Sequence, residues 1–157
     1  MEGALTFELL ERGLTDAVGV DLSSAHIAVA AAEAARRGRT DAVRFVQGDF
    51  VGSADQFPPA DIVTLDRVVC CYPEYERLLD ESARHAVRCF ALSYPRDIWY
   101  VRAWVGLQNC ARQLRRNPFR TFVHSASAVE HVIRRAGFEL VSRRCTRTWC
   151  ADVYRHV

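Results

Sequence analysis

Acidic residues end three of the strands that the sequence predicts. Asp21 follows the run "AVGV", Asp49 follows "VRFVQG", and Asp66 ends "ADIVTLD". Ligands of open α/β sheets bind outside the carboxyl ends of the strands, where a carboxylate accepts hydrogen bonds from ribose hydroxyls. Asp21 lies 18 residues after Gly3, near the spacing of about 20 that this relation favours. A single acid at a strand end is explained equally well as a helix cap. The hypothesis of a ribose-binding site therefore depends on several such acids occurring together.

The second acid, Asp49, stands in "QGDF" beside an aromatic residue. Its carboxylate is placed to accept a hydrogen bond from an adenine amino group. Phe50 supplies a ring that can stack on a base and a backbone N–H that can donate to the ring edge. A ribose acid and an adenine acid together indicate a nucleoside-containing cofactor.

Strands and helices alternate around these acids. The predicted strands cover residues 17–21, 42–49, 60–66, 88–95, 139–145 and 148–154. The predicted helices cover residues 1–13, 25–38, 74–87, 127–137 and part of 96–119. Alternation predicts a parallel sheet with right-handed crossovers, and the last two strands follow each other too closely for a helix, so they predict an antiparallel hairpin. The fold class is therefore α/β, with a mixed sheet, helices on both faces and a C-terminal hairpin.

Local patterns predict how two of the helices begin and face the core. Leu5, Leu9 and Leu10 share one face of the first helix at helical spacing. Ser127 and Glu130 form an S-x-x-E pattern, which predicts a capping box at the start of the last helix.

Composition limits the classes of function. The chain has 157 residues, half of them hydrophobic, and predicts a single domain over residues 1–157. A formal net charge of +2 does not favour a nucleic-acid partner. The six cysteines lack zinc-ligand spacing, so we predict no metal site and interpret them as buried free thiols in a reducing compartment. With no signal peptide and no membrane-length apolar run, these features predict a cytoplasmic protein.

The motifs together resemble class I S-adenosylmethionine-dependent methyltransferases. The resemblance runs from "GALTFELL" through "VGVDLS", "FVQGDF" and "DIVTLDRVV" to the final hairpin. "SYPRDIWYVR" and "FRTFVH" are similar to the branch near magnesium-protoporphyrin methyltransferase and its bacterial relatives. The resemblance implies a Rossmann-like fold, S-adenosylmethionine as cofactor, and cofactor contacts from Gly3, Asp21, Leu22, Asp49, Phe50, Asp66 and Arg67.

The beginning of the chain departs from this family. In members of the family, a first strand leads into a D-x-G-x-G-x-G loop. Gly3 of this chain matches the last glycine of that loop. Met1 and Glu2 stand where the rest of the loop is expected, and the strand that lies between those ending in Asp21 and Asp66 is absent from the sequence. We therefore expect an N-terminally shortened form with impaired cofactor binding.

The reaction that the resemblance implies is transfer of a methyl group to a nucleophile in one in-line step. A carboxylate acceptor needs no base, whereas a phenol or amine needs one. Tyr72, Tyr94 and His124 are the candidate bases, and each is also explained by packing or by a loop position. Arg96, at the end of a strand, is a candidate partner for an acidic substrate.

The segment from Trp99 to Arg120 mixes aromatic and basic residues. We interpret it as a lid over an apolar substrate, ahead of a patch on a membrane surface or a plain surface helix. The predicted partner is a small, apolar or ring-bearing molecule, and the oligomeric state is left open. Two other classes stay open: a dinucleotide-binding domain, which the hairpin and the "GDF" turn disfavour, and a non-catalytic remnant that binds a partner.

Overall fold

The computed structural model describes residues 3–157. Met1 and Glu2, which the resemblance sets in place of the glycine loop, lie outside the described residues. The chain divides into two compact units, one ending at Phe57 and the other covering Pro58–Val157.

The N-terminal unit alternates helices and strands. Its elements are α1 (Ala4–Glu11), β1 (Ala17–Asp21), α2 (Ser24–Arg36), β2 (Val43–Gln47), α3 (Phe50–Ser53) and a 3₁₀ turn (Ala54–Gln56). The two strands pair in parallel, with Ala17 opposite Val43 and Asp21 opposite Gln47. Both strands therefore end at the same edge of this sheet, as the sequence predicts.

The core of this unit is built on Phe7. Phe7, Leu10, Ala34 and Val43 are buried together. The prediction for α1 is thus only partly right: Leu10 faces the core, but Leu5 is exposed. Phe7 takes its place because positions 7 and 10, three residues apart, share a helix face.

Gly3 begins α1 in a conformation that suits glycine. Its φ is +73°, and the Phe7 N–H donates to its carbonyl oxygen at 3.1 Å. A Cβ at this position would lie 3.3 Å from the Phe7 ring. Both the left-handed backbone and the close approach favour a residue without a side chain.

The C-terminal unit holds a four-stranded mixed sheet. Its elements are β3 (Ala60–Asp66), a 3₁₀ turn (Val69–Cys71), α4 (Tyr75–His85), β4 (Ala86–Pro95), α5 (Trp99–Leu114), α6 (Ala126–Arg135), β5 (Phe138–Cys145) and β6 (Trp149–His156). The strand order is β3-β4-β6-β5, with β3 and β4 parallel and the remaining pairs antiparallel. The predicted C-terminal hairpin is confirmed.

Two predicted boundaries in this unit are wrong. The structure ends α4 at His85 and starts β4 at Ala86, two residues before the predicted strand. The cap of α6 is Ser125, whose hydroxyl accepts from the Ala128 N–H at 3.2 Å, and not Ser127. Ser127 lies within the helix because the chain already turns one residue after Ser125.

The cysteines also differ from the prediction of six buried free thiols. Cys145 and Cys150 form a disulfide, because they face each other where the β5–β6 ladder ends, with their Cα atoms 4.0 Å apart. Of the four free cysteines, Cys70 is buried and Cys110 is exposed.

Candidate functional site

The candidate ribose acid, Asp21, ends β1 in the N-terminal unit. Its Oδ1 accepts from the Ser23 N–H at 2.7 Å, and its Oδ2 lies 3.2 Å from Nδ1 of His26. Ser23 in turn caps α2, accepting from the His26 N–H. The carboxylate is thus fixed by the turn into α2, while its side chain stays 41% exposed. Each oxygen retains a lone pair for a further donor.

The candidate adenine acid, Asp49, follows β2 at the same edge. Its Oδ1 accepts from the Val51 N–H at 3.3 Å and so caps the short α3. Phe50 stacks on Phe57 with the ring centroids 5.9 Å apart. Leu22 is 66% exposed beside Asp21, which leaves an apolar side chain next to the acids of this edge.

Asp66 and Arg67 form a polar cluster at the end of β3 in the C-terminal unit. The Ser93 hydroxyl donates to Oδ1 of Asp66 at 2.5 Å and accepts from the Arg67 N–H at 2.9 Å. Ser93 stands opposite Asp66 in the parallel β3–β4 pair. Arg67 adopts a positive φ of 59°, and its guanidinium lies 5.1 Å from the ring centre of Trp149. The single hydroxyl of Ser93, on β4, therefore holds both Asp66 and Arg67 in place at the end of β3.

His124 lies in the loop before α6, against the turn that follows β3. The Phe122 N–H donates to the Cys70 carbonyl at 2.6 Å, which brings the loop to the turn. The imidazole stacks on Tyr75 with the centroids 3.8 Å apart. Burial lowers the pKa of His124, and a hydrogen bond with the backbone of Val69 partly offsets this. Its Nε2 is buried and finds no hydrogen-bond partner among residues 3–157.

Tyr94 is 1% exposed and belongs to a buried network. Its hydroxyl donates to Oδ2 of Asp152 at 2.8 Å, and the Tyr154 hydroxyl donates to the same atom at 3.0 Å. Arg143 donates to both oxygens of Asp152 at 2.8 Å. Burial, and then the Asp152 carboxylate, raise the pKa of the Tyr94 phenol. A buried phenol that has a raised pKa and already donates its proton to a carboxylate fits a structural role better than the role of a base.

The other substrate-side candidates lie near the hairpin turn or the end of β3. Arg96 is exposed, and its N–H donates to the Thr148 carbonyl at 2.8 Å. The Tyr100 hydroxyl donates to the Arg147 carbonyl at 2.6 Å, which fixes the start of α5 to the same turn. Trp99 is exposed, and Tyr72 is half-buried directly after the Val69–Cys71 turn.

Sequence reasoning missed Ser93, Trp149 and Tyr75. Ser93 was predictable in principle, because a parallel pairing of the two predicted strands sets a residue of β4 opposite Asp66. Trp149 and Tyr75 carry no local signal, since each meets its partner through contacts between segments distant in the sequence.

Within residues 3–157, no group of three or more His, Cys, Asp and Glu side chains is arranged to hold a metal ion. Over the same residues, none of the helices has both the length and the hydropathy needed to cross a bilayer.

A parallel strand pair with acids at its carboxyl edge, and a mixed sheet that ends in an antiparallel hairpin, define a Rossmann-like methyltransferase fold. The family model described as "Methyltransferase domain" matches residues 2–89, more than half of the chain, and the chain belongs to this family. The chain is therefore of the class of S-adenosylmethionine-dependent methyltransferases. No curated protein matches the chain at a significant level.

Solved methyltransferase structures share the fold over almost the whole chain. Magnesium protoporphyrin IX methyltransferase from Synechocystis, with bound S-adenosylhomocysteine, has 13% identity and a TM-score of 0.70, over 99% of this chain and 81% of that one. A geranyl diphosphate methyltransferase in complex with S-adenosylmethionine has 13% identity and a TM-score of 0.78, over 99% and 75%. An O-methyltransferase family 2 protein from Planctomyces limnophilus, in complex with apigenin, has 19% identity and a TM-score of 0.75, over 99% and 47%.

Proposed function

We propose that this chain methylates a hydroxyl group of a small, ring-bearing acidic molecule, with His124 as the general base. Bound S-adenosylmethionine supplies an electrophilic methyl group on its sulfonium sulfur. Since that leaving group is already good, the protein contributes position, a water-poor site and removal of the acceptor's proton.

The residues of the N-terminal unit fit the cofactor by their chemistry. Asp21 presents a partly exposed carboxylate, held by backbone and His26 contacts, that suits the two ribose hydroxyls. Asp49 and Phe50 provide an acceptor and a ring beside it, and Leu22 an exposed apolar surface. We propose these four residues, with Gly3, as the cofactor contacts of the N-terminal unit. Cofactor contact by Asp66 and Arg67 stays a prediction from the resemblance.

The observation that supports His124 is its unsatisfied Nε2. With its pKa lowered by burial, the imidazole is neutral near pH 7, and the stack on Tyr75 fixes its plane. A neutral imidazole with one ring nitrogen unpartnered can take the proton of a hydroxyl acceptor, once the acceptor displaces the groups that cover Nε2. We keep Tyr72 as the second candidate base, and we propose a structural role for Tyr94.

Arg96 supports the choice of an acidic substrate. Among residues 3–157 its guanidinium donates only to the Thr146 carbonyl, at 3.5 Å. Its charge is therefore available to a carboxylate, which arginine binds in a bidentate way. Trp99 offers an exposed ring nearby in sequence. The apigenin bound to the Planctomyces protein is likewise a small ring-bearing molecule, although it has no carboxylate.

The experiment is a methyl-transfer assay against tetrapyrroles, quinones, phenols and RNA, with His124→Gln and Arg96→Gln. We expect His124→Gln to lower kcat on hydroxyl acceptors by about 10²–10⁴-fold and to leave carboxylate acceptors unaffected. Arg96→Gln is expected to raise KM for acidic substrates only. Arg88→Gln, which changes an exposed arginine of β4, the strand just before Arg96, serves as its control. Turnover on RNA alone, undiminished by His124→Gln, would refute the proposal.

The cytoplasmic location is also a proposal. It rests on the four free cysteines, whereas the Cys145–Cys150 disulfide does not support it. Fractionation of cells that produce the full-length protein tests it directly.

A further inference from the structure

The outward face of α5 carries an apolar stripe, which we define as Trp99, Ala103, Leu107, Cys110 and Leu114. These residues follow one another at steps of four, four, three and four, so they share one side of the helix. The opposite side holds Val101 and Val105, which are buried. All five stripe residues face solvent, with Trp99 at 80% exposure, Leu107 at 62% and Leu114 at 87%. A helix that buries one apolar side and exposes another has a surface without a partner in this chain.

The charged residues of α5 and of the segment that follows it have one sign. From Ile98 to Val129 the sequence contains five arginines and no Asp or Glu. Arg102 is paired with Asp97, just outside this range. Arg112 lies on the same side of α5 as Val101 and Val105 and donates to Asn109 and Thr121. Arg120, after the helix, is bonded to the carbonyl oxygens of Asn117 and Phe119 and forms no ion pair within residues 3–157. Arg115 and Arg116, at the end of α5, have no side-chain partner within residues 3–157.

Two further aromatic side chains of the same segment are exposed. Trp104 is exposed on α5, and Phe119 follows the helix with its ring 4.9 Å from the Arg112 guanidinium. An exposed apolar face that carries a tryptophan and is followed directly by arginines is typical of helices that lie in the plane of a bilayer surface. At 16 residues, α5 is suited to lie on a membrane and not to cross it.

We propose that α5 binds the surface of a membrane containing anionic lipid, with the apolar stripe in the headgroup region and the arginines on lipid phosphates and carboxylates. Charge complementarity distinguishes this occupant from a second copy of the chain. Two copies paired through the stripe would bring two arginine-rich segments without acids against each other, and like charges repel. The inference holds for any methyl acceptor and does not rest on the proposed substrate.

The experiment measures flotation of the purified full-length chain with vesicles of phosphatidylcholine alone or mixed two to one with phosphatidylserine. We expect binding to the mixed vesicles, weakened by salt, with a blue shift of tryptophan emission as Trp99 and Trp104 leave water. Each arginine near such a surface is worth about 1 kcal/mol, or about fivefold, so Arg115→Gln with Arg116→Gln should weaken binding about 25-fold. Leu107→Gln should weaken it roughly tenfold.

Matched controls separate the surface from general effects. Arg39→Gln with Arg88→Gln removes the same charge elsewhere, and Val29→Gln alters a similarly exposed apolar residue of α2. Both should leave binding unchanged, and thermal unfolding should show that every variant folds. Absence of binding to the mixed vesicles, an equal loss in the controls, or a dimer that Leu107→Gln dissociates would each overturn the proposal. Loss of methyl transfer by Leu107→Gln without vesicle binding would show that α5 is a substrate lid.

Discussion

Replacing Arg143 with methionine is expected to destabilise the C-terminal unit strongly. Asp152 is fully buried and accepts four hydrogen bonds, two of them from Arg143. The variant removes the only positive charge that contacts Asp152 among residues 3–157 and leaves the hydroxyls of Tyr94 and Tyr154 as donors. The methionine side chain keeps most of the aliphatic contacts, so the effect isolates the guanidinium.

The magnitude follows mainly from the two lost bonds to the buried Asp152. A third lost bond, from Arg143 to Oε2 of Glu130 at 3.1 Å, is exposed and contributes little. A hydrogen bond to a charged group is worth about 1.5–3 kcal/mol, and breaking a buried ion pair from one side costs about 3–5 kcal/mol. The Arg143 side chain is only 30% exposed, so solvent compensates little. We expect the free energy of unfolding from urea titration to fall by about 3–5 kcal/mol.

Arg144→Met is the control, because the neighbouring arginine is exposed and has no part in the network. The double variant with Asp152→Leu should lose less than the sum of the two single variants, since it also removes the buried charge. A loss below about 1 kcal/mol for Arg143→Met, or strict additivity in the double variant, would refute this account of the network.

Three further outcomes are expected. Ser125→Ala should lower the free energy of unfolding by about 1 kcal/mol in a urea titration, whereas Ser127→Ala should change it by only a few tenths, because only Ser125 caps α6. Gly3→Ala should lower it by about 1–2 kcal/mol through its positive φ, visible as a lower thermal midpoint. Stability should fall as pH rises above about 10, because the folded-state pKa values of Tyr94 and Tyr154 are raised and the unfolded chain ionises first, and Tyr94→Phe should flatten that fall in urea midpoints measured at pH 9 and 11.

The order of elements was readable from the sequence because its signals are local. Strands such as Ala60–Asp66 are short apolar runs that end in an acid, and helices such as α2 are bounded by a serine and a glycine. The C-terminal hairpin was predictable because the last two predicted strands are too close in the sequence for a helix to lie between them. The boundary errors arise where two local signals compete, as for Ser125 and Ser127, which both precede a helix-forming run.

The positions of the candidate site residues were predictable only where the pairing register of neighbouring strands determines them. Asp21 and Asp49 share a sheet edge because β1 and β2 are parallel neighbours. The burial of Tyr94 was not predictable, because its partner Asp152 comes 58 residues later and depends on the β4–β6 register. The position of His124 depends likewise on contacts between its loop and the Val69–Cys71 turn, which leave no periodic pattern.

The short turn between β5 and β6 holds two other parts of the chain in place, the residue after β4 and the start of α5. It is closed covalently at its base by Cys145 and Cys150, and its carbonyl oxygens accept from the Arg96 backbone and the Tyr100 hydroxyl. An exposed turn is ordinarily the place where a designer inserts a tag or a loop. Here an insertion between residues 146 and 149 would move Arg96 and the start of α5 together, so the turn is a poor insertion site despite its exposure.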